Sequence, residues 1–238
     1  MNKYKLVALD LDGTLLNNAG ELSETNRYWI REAEKAGIIV SLATGRGRRM
    51  SERFWNAVSP TAPMVVANGA EVWKNHEEVL SRHIMPPNMV PKLLGLAKEH
   101  GAGSWTIGNY IGSDSVEGDD CLKVGMHHDD PKILSKLRDT VKSWGQFEVS
   151  GSASTNIEIN LKGVSKAAGL AEVATTLGIK PNEIVAVGDS FNDLAMITWV
   201  GFGVAMQNAE EIVKKTADYI TASNEEDGVA QVIKLLLK

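Results

Sequence analysis

The sequence predicts an α/β protein with a doubly wound parallel sheet and a small inserted α+β domain. Two observations lead to this prediction. Short apolar, β-branched segments alternate with helical segments at both ends of the chain, as they do in a parallel sheet covered by helices on both faces. The intervening residues 82–160 are richer in Gly, His and Trp and show short alternating strands. We therefore expect a core formed by residues 1–81 and 161–238, with residues 82–160 as the insertion.

The first part of the core is predicted to follow a β-α-β-α-β order. Residues 5–9 form a short apolar run, and residues 37–43 are almost continuously apolar, as a strand buried on both faces is. The helix between them is predicted over residues 23–35, because Ser23 is a favourable N-cap and Gly37 lies just past the end. The same reasoning predicts a helix over residues 47–58 and a strand over 64–67.

The alternation returns after about residue 163. The predicted elements are a helix at 165–177, a strand at 183–187, a helix at 192–199, a strand at 202–205, a helix at 209–215, a strand at 218–220 and a helix at 228–237. Inside the insertion, strands are predicted at 121–126 and 156–160, and helices at 88–100 and 130–144. Turn residues separate these segments, which supports the assignment.

Composition excludes several classes of protein. The 238 residues carry a net charge of −5, so no basic surface for nucleic acid is predicted. No run approaches the roughly 20 apolar residues of a membrane helix, and the N-terminal segment is interpreted as a first strand in preference to a signal peptide. Cys121 is the only cysteine, so neither an intramolecular disulfide nor a cysteine-based zinc site is expected, and we predict a buried small hydrophobic residue. We expect a cytoplasmic protein that is a monomer or a homodimer.

Two acidic segments follow predicted strands. Asp10 and Asp12 lie in Asp-Leu-Asp-Gly-Thr after the first strand, and Asp189 and Asp193 lie in Gly-Asp-Ser-Phe-Asn-Asp after the strand at 183–187. Ligands of parallel sheets bind outside the carboxyl ends of the strands, and clustered carboxylates suit Mg²⁺. Either segment alone is also explained by a solvated acidic loop or a helix cap. Two such loops make coincidence less probable, and we predict a Mg²⁺ site.

Two further segments provide groups that bind phosphate. Thr44 and Gly45 follow the strand at 37–43 and open a helix, so a hydroxyl, a flexible backbone amide and a helix N-terminus are available to phosphate oxygens. Lys166 opens the helix at 165–177, where its ammonium is able to reach a phosphate or neutralise crowded carboxylates. Taken singly, each of these signals is weak, because turns often contain Thr and Gly and surface lysines are common.

In chain order, Asp-Leu-Asp-Gly-Thr, Ala-Thr-Gly-Arg, Gly-Val-Ser-Lys and Gly-Asp-Ser-Phe-Asn-Asp resemble the four motifs of the haloacid dehalogenase superfamily. More narrowly, they resemble its phosphatases with a C2-type cap between the second and third motifs, of the Cof-like, phosphoglycolate or sugar-phosphate phosphatase type. The resemblance covers nearly the whole chain, although the insertion carries no recognisable signature. It implies a Rossmann-like core and a Mg²⁺-dependent phosphatase that acts on a small phosphorylated metabolite, with the cap selecting the substrate.

The resemblance also implies roles for individual residues. Asp10 is the expected nucleophile, which becomes an aspartyl-phosphate, and Asp12 is the expected general acid for the leaving alcohol and base for the attacking water. Mg²⁺ is expected at Asp10, the Asp12 backbone carbonyl and Asp189, with Asp193 binding directly or through water. Phosphate or substrate contacts are expected from Thr44, Gly45, Lys166 and Asn192. Ala167 departs from the subgroup, which commonly has Gly there.

Other functions remain open at this point. A phosphomutase or phosphotransferase of the same fold uses the same motifs, and it differs only in protecting the phospho-aspartate from water. A receiver-like phosphoryl-binding module also uses clustered Asp, Thr and Lys, but its phosphorylated Asp follows the third strand. A dehalogenase is disfavoured by Asp12, because it lacks an acid/base carboxylate at that position.

Several weaker signals are also interpreted. The acids of His127-His128-Asp129-Asp130 are predicted to cap the helix after Pro131, in preference to a transition-metal site. Asn68-Gly69-Ala70 resembles the loop that faces the substrate in the subgroup, yet a turn explains it equally well. Trp29, Trp55 and Trp199 are predicted to be packing residues, and Trp105 and Tyr110 are candidates for lining a substrate pocket.

Overall fold

A computed structural model describes residues 3–108 and 120–238 of the chain. Its described strands form two sheets. The first sheet contains β1 (Leu6–Leu9), β2 (Ile39–Ala43), β3 (Met64–Val66), β4 (Glu71–Trp73), β5 (Val79–Arg82), β10 (Ile184–Gly188), β11 (Phe202–Ala205) and β12 (Tyr219–Ile220). The second contains β6 (Gly103–Gly108), β7 (Cys121–His127), β8 (Phe147–Ser150) and β9 (Asn156–Leu161). Tyr110, a candidate pocket residue, lies outside the described residues.

The helices divide between the two sheets. Those of the described residues are α1 (Glu24–Lys35), α2 (Arg48–Val58), α3 (Met89–Glu99), α4 (Pro131–Ser143), α5 (Lys166–Leu177), α6 (Leu194–Trp199), α7 (Glu211–Thr216) and α8 (Gly228–Leu236). The Ser23 hydroxyl accepts from the Asn26 amide, so the predicted N-cap of α1 is confirmed. No helix among the described residues is long and apolar enough to span a bilayer.

The first sheet has the order β12-β11-β10-β1-β2-β3-β4-β5 and is parallel from β12 to β3. Its central strand β1 is buried along its whole length, because alternate residues enter the cores on opposite faces. Val7 and Leu9 pack with α1, α2 and α8, whereas Leu6 and Ala8 pack with α5. This arrangement confirms the predicted doubly wound α/β fold, and it explains the continuous apolar character of the strands.

The second sheet is antiparallel, with the order β6-β7-β9-β8. One of its faces is covered by α3 and α4, in a separate core that includes Leu93, Leu137, Ile157 and Ile159. Residue Glu158 lies between the two isoleucines of β9 and therefore points to the opposite face. The predicted limits of the insertion, residues 82 and 160, fall at the end of β5 and one residue before the end of β9.

Some elements differ from the sequence-based expectation. The hairpin of β4 and β5 was not predicted; it extends the first sheet in antiparallel pairing, and its strands have only 3 and 4 residues. Strands β6 and β8 were also missed; β8 alternates but has only 4 residues, too few to distinguish a strand from a loop. The helix predicted over 192–199 is a 3₁₀ turn over Phe191–Asp193 followed by α6. Most other boundaries shift by one or two residues, as fraying ends usually do.

Candidate active site

The candidate site lies at the carboxyl ends of three adjacent parallel strands. In the first sheet β1 is flanked by β2 and β10, so the loops that follow these strands meet at one edge. The chain proceeds from β1 toward β2 on one side and reaches β10 on the other, which makes this edge a topological switch point. Asp10, Thr44 and Asp189 each come directly after one of these strands. The fold thus brings together loops that are more than 100 residues apart in the chain.

A buried ion triad lies at the centre of the site. The Lys166 ammonium donates to Asp10 Oδ1 at 2.6 Å and to Asp193 Oδ1 at 2.7 Å. All three residues are buried, with Lys166 and Asp193 fully so. Burial alone would lower the pKa of Lys166, but Asp10 and Asp193 outweigh that effect and raise it, so this lysine is charged. Its role as a counter-charge to crowded carboxylates is one of the two that the sequence suggested.

The position of Lys166 depends on how α5 begins and how closely it packs. Ser165 caps the helix by accepting from the Ala168 amide, and Lys166 is its first residue. At Gly169 the helix lies so close to the first sheet that a Cβ would be 2.6 Å from Val65 Cγ1. Gly69, with φ +94°, lies against the Ser165 carbonyl and leaves no room for a side chain. These glycines bring the helix N-terminus to the carboxylates.

Asp189 is held by hydroxyl groups from two loops. Thr14 Oγ1 donates to Asp189 Oδ1 and Ser190 Oγ donates to Asp189 Oδ2, both at 2.9 Å. Asp193 Oδ2 accepts from the backbone amides of Asp189 and Ser190, at 3.0 Å each. The loop after β10 is therefore stabilised by its own second carboxylate. The contribution of Thr14 was missed from the sequence, because a hydroxyl after an acidic pair has no distinctive pattern.

Asp10, Asp189 and Asp193 fit a divalent cation. One carboxylate oxygen of each residue lies within 4.8 Å of the others. Burial is the main cause that raises the pKa of Asp10 well above its usual range, and the charges of Asp193 and Asp189 add to it despite Lys166. Burial and the Asp193 charge likewise raise the pKa of Asp189 to about 6. An oxygen-only set of this kind suits a hard cation such as Mg²⁺, whose charge offsets the repulsion.

The Asp12 side chain lies outside this carboxylate cluster. Its two oxygens accept from Arg46 Nε at 2.7 Å and from the second guanidinium nitrogen at 2.5 Å. The side chain is 56% exposed, whereas Asp10 is buried. The carboxylates of Asp10 and Asp12 therefore lie in different surroundings, because the chain leaves the extended conformation after Leu9 and turns at Gly13, where φ is +75°. Arg46 was not among the residues expected to contact Asp12.

Thr44 and Gly45 form a tight turn beside the triad. Thr44 is fully buried, and its hydroxyl accepts from the Arg46 amide at 3.1 Å. A Cβ at Gly45 would lie 3.0 Å from Asn68 Oδ1, so a larger residue would crowd the turn. The predicted phosphate-binding residues Thr44, Gly45 and Lys166 are thus near the carboxylates, and Asn192 lies in the loop after β10.

Asn192 belongs to a buried polar network that the sequence did not reveal. Its Nδ2 donates to Asn68 Oδ1 at 3.2 Å, and Asn68 Nδ2 donates to Glu158 Oε2 at 2.7 Å. Asn160 Nδ2 donates to the Ala67 carbonyl at 2.9 Å, which links the second sheet to the first. Asn68 has φ +60°, as a tight turn requires, and it also contacts residues at the site. The interpretation of Asn68-Gly69-Ala70 as a turn is therefore confirmed, and its interpretation as a loop that faces the substrate stays a prediction.

A large cavity begins next to the site. It has a volume of about 1030 Å³ and starts at Gly47, the neighbour of Arg46. Its walls include Arg48, Trp73, Arg82, Ile107 and Leu122. Trp105 is not a wall residue; its ring covers Gly125 and lies 5.9 Å from the His127 ring, so the suggested pocket role is not supported.

The remaining sequence predictions have clear outcomes. Asp130 accepts from the Lys132 amide and caps α4, so the His127–Asp130 segment is a capping loop. The three tryptophans expected to pack do so. Trp55 is buried in the core that contains Val7 and Leu9, and Trp29 packs against the same core. Trp199 packs against the core on the opposite face of the first sheet, which contains Leu6 and Ala8. Cys121 is buried, and burial raises the pKa of its thiol to about 11, which keeps it protonated.

Comparison with known proteins agrees with this architecture. The family model of haloacid dehalogenase-like hydrolases matches residues 7–111 and 106–233. The chain is 37% identical over 235 residues to the 5-amino-6-(5-phospho-D-ribitylamino)uracil phosphatase YcsE of Bacillus subtilis, covering 97% of this chain and 94% of that one. It is 28% identical to the phosphoglycolate phosphatase of Methanopyrus kandleri, covering 98% and 97% of the two chains.

Solved structures show the same fold. A haloacid dehalogenase-like hydrolase from Bacteroides thetaiotaomicron superposes with a TM-score of 0.83 at 29% identity, and the match covers 98% of this chain and 99% of that one. Because the two curated relatives named above are phosphatases matched along nearly their whole length, the receiver-like alternative is set aside. The chain belongs to the haloacid dehalogenase-like hydrolases, and it is a phosphatase of small phosphorylated substrates.

Proposed function

We propose that the chain hydrolyses small phosphomonoesters with Mg²⁺, through an aspartyl-phosphate on Asp10. The observation that carries this proposal is the Asp10 carboxylate, which is buried against the Lys166 ammonium and within reach of Asp189 and Asp193. Asp10, Asp189, Asp193 and the Asp12 carbonyl would hold the cation, which supplies positive charge to the phosphoryl oxygens. A buried, charge-compensated carboxylate has the character of a nucleophile aimed at an anionic substrate.

In the first step, Asp10 attacks phosphorus and the ester oxygen leaves. Lys166 contributes charge to the equatorial oxygens, on which negative charge is concentrated during transfer, and the Thr44 hydroxyl and nearby backbone amides provide donors. Asp12 donates a proton to the leaving oxygen. Its carboxyl group is separate from the cluster and 56% exposed, so water reaches it directly.

In the second step, water attacks the phosphorus of the aspartyl-phosphate. Asp12, now deprotonated, accepts the proton of that water, and the Asp10–phosphate bond breaks to release inorganic phosphate. Dividing the reaction between two displacements at one phosphorus replaces one difficult step with two easier ones. Arg46 donates to both oxygens of Asp12 and holds the carboxyl group at the site, and one of these contacts is released when Asp12 turns to the leaving oxygen or to water.

The substrate class is a small polar ester. Among relatives, the ribitylaminouracil phosphatase and the phosphoglycolate phosphatase suggest a polyol-type phosphate, a sugar phosphate or a phosphoglycolate-like acid as candidates. The cavity of about 1030 Å³ beside Arg46 has room for any of them. We also propose that residues 82–160 act as the cap that selects among them, and that the protein is cytoplasmic and either a monomer or a homodimer.

A panel of phosphate esters tests the proposal. Purified protein with Mg²⁺ is expected to release inorganic phosphate from several of these esters with repeated turnover. Recovery of the phosphoryl group on a second sugar, in place of inorganic phosphate, would identify a phosphomutase or phosphotransferase. A single burst of product without turnover would contradict hydrolysis altogether.

Mg²⁺ is expected to stabilise the protein, and to do so more strongly at pH 7.5 than at pH 5. The pKa of Asp189 is raised to about 6 in the folded protein. Without metal, the free energy of unfolding therefore falls as the pH rises from about 4 to 6, because the fold must then hold an ionised Asp189. The cation binds the ionised carboxylates, so its effect grows over the same range. At a hundred times its dissociation constant, the gain is about 2.7 kcal/mol.

The measurement is the melting temperature with and without MgCl₂ at both pH values. Asp189→Asn should reduce the Mg²⁺-induced increase, whereas Asp139→Asn, on α4 and outside the cluster, should not. An equal increase at both pH values in all three proteins would place the cation elsewhere. Activity is expected to disappear after exhaustive chelation and to return with MgCl₂.

Asp12→Asn is expected to lower kcat by about 10²–10⁴-fold for alkyl phosphates, which is the usual contribution of a general acid or base. The loss should be smaller for p-nitrophenyl phosphate if leaving-group departure limits the rate, because that leaving group needs little protonation. Arg46→Ala should act in the same direction through misplacement of Asp12. Arg53→Ala is the matched control, since both arginines lie over the Phe54 ring but only Arg46 binds Asp12. Equal losses in kcat/KM for both esters, which reports the steps up to departure of the leaving group, would contradict the role of Asp12 as general acid.

A further inference from the structure

A buried ion pair from the second sheet lies against the candidate active site. Lys123 on β7 and Glu158 on β9 are joined by an Nζ–Oε1 contact of 2.9 Å. Their side chains are only 1% and 6% exposed. The strand neighbours of Glu158, Ile157 and Ile159, belong to the separate core of the second sheet, so the carboxylate points toward the first sheet.

The other partners of the pair belong to loops of the active site. Lys123 Nζ donates to the Gly45 carbonyl at 2.6 Å, in the turn that contains Thr44. Glu158 Oε2 accepts from Asn68, which in turn accepts from Asn192 in the loop after β10. Burial lowers the pKa of Lys123 overall, although Glu158 and, more weakly, Asp10 act to raise it.

Stability alone does not account for this pair. Removing two charges from water is costly, and replacing a buried ion pair by apolar residues of similar size is often neutral or stabilising. An interface between two sheets therefore does not need a lysine and a glutamate. In addition, Asn192, which is linked to Glu158 through Asn68, has a buried Oδ1 without a hydrogen-bond partner among the described residues. A buried acceptor without a donor is costly, and a ligand that supplies the donor removes that cost.

The donors and acceptors at this position match hydroxyl groups. The ammonium of Lys123 donates, whereas the carboxylate of Glu158 and the amide oxygen of Asn192 accept. A hydroxyl both donates and accepts, so neighbouring hydroxyls on a carbon chain are able to satisfy all three groups. When the two sheets separate to admit a substrate, a hydroxyl oxygen would take the place of the Gly45 carbonyl as the acceptor for Lys123.

Resting on the proposed phosphatase function, we propose that Lys123 and Glu158 are specificity-determining residues that bind hydroxyl groups of the leaving group. They select polyol and sugar phosphates over esters whose leaving groups carry no hydroxyls. The phosphate, which all substrates share, is bound by Lys166, Thr44 and the cation. The second sheet thus selects the carbon chain of the leaving group through Lys123 and Glu158.

The test compares ribitol 5-phosphate with n-pentyl phosphate, two five-carbon esters that differ in their hydroxyl groups. The variant is the double substitution Lys123→Met/Glu158→Gln, which removes both charges together and so leaves neither unpaired. We expect the ratio of kcat/KM for ribitol 5-phosphate over n-pentyl phosphate to fall by about a hundred-fold, since sites that bind a hydroxyl discriminate strongly against its absence. Lys74→Met/Glu78→Gln, at an exposed pair on the β4–β5 hairpin, should leave the ratio unchanged.

Several results would overturn the inference. An unchanged ratio in the double variant shows that the pair does not read hydroxyls, and an equal loss for both esters shows that it serves the phosphate or the closed structure. Wild-type protein that hydrolyses p-nitrophenyl phosphate but not ribitol 5-phosphate contradicts the inference while the proposed function stands. Wild-type protein that hydrolyses no ester contradicts both. If the double variant fails to fold, Glu158→Gln, which retains one acceptor oxygen for Asn68, is measured in the same way.

Discussion

Asp10→Asn is expected to reduce the turnover of every phosphomonoester by about 10⁴-fold or more, the scale seen when a covalent nucleophile is removed. Asn has nearly the shape of Asp but is a poor nucleophile toward phosphorus. The fold should persist, because the change removes a charge that is buried beside Asp189 and Asp193. Lys166 keeps Asp193 as an ionic partner in the variant.

Two measurements check this prediction. Steady-state release of phosphate from several esters gives the loss of turnover, and thermal unfolding without metal gives the stability, which should not fall. Beryllium fluoride or aluminium fluoride with Mg²⁺ should bind wild-type protein at Asp10 in a crystal structure. Fluoride density on a different residue, or substantial turnover by the variant, would show that Asp10 is not the nucleophile.

Lys166→Met is expected to lower kcat/KM for all esters by a similar factor of about 10²–10³. Removing one preorganised contact to a developing charge has an effect of that size, and the phosphate is common to all substrates. The variant also leaves Asp10 and Asp193 buried without their counter-charge, which should destabilise the metal-free fold by about 3–5 kcal/mol. Mg²⁺ should restore part of that stability.

Lys162→Met is the matched control, because this lysine lies four residues earlier and its side chain is exposed. The measurement is kcat/KM for at least three esters together with the melting temperature with and without MgCl₂. A changed ranking of the esters in the Lys166 variant would contradict the division between phosphate binding by the core and leaving-group selection by Lys123 and Glu158. Unchanged stability would contradict the role of Lys166 as a buried counter-charge.

Sequence patterns were sufficient where local physics decides the structure. The central strands are continuously apolar because both faces of a parallel sheet are covered, and that pattern identified β1, β2 and β10. Helix signals were equally local: Ser23 caps α1, and Asp130 caps α4. Short antiparallel strands such as β4 were missed, because their pairing depends on distant segments and three residues carry no periodicity.

For the site, the sequence by itself determined which loops carry acids, because the carboxyl ends of parallel strands must meet at one edge. Only the tertiary structure decided which side chains touch. It joined Lys166 to Asp10 across 156 residues, and it separated Asp12 from Asp10 by pairing it with Arg46.

The tertiary structure also brought Lys123 and Glu158, which look like ordinary charged residues in their strands, to the turn at Gly45. Such contacts arise from the packing of the second sheet on the first, and no local pattern of charge or hydrophobicity encodes them. The chemistry of the phosphate was therefore readable from motifs. The groups that surround the leaving group became visible only once the two sheets were placed together.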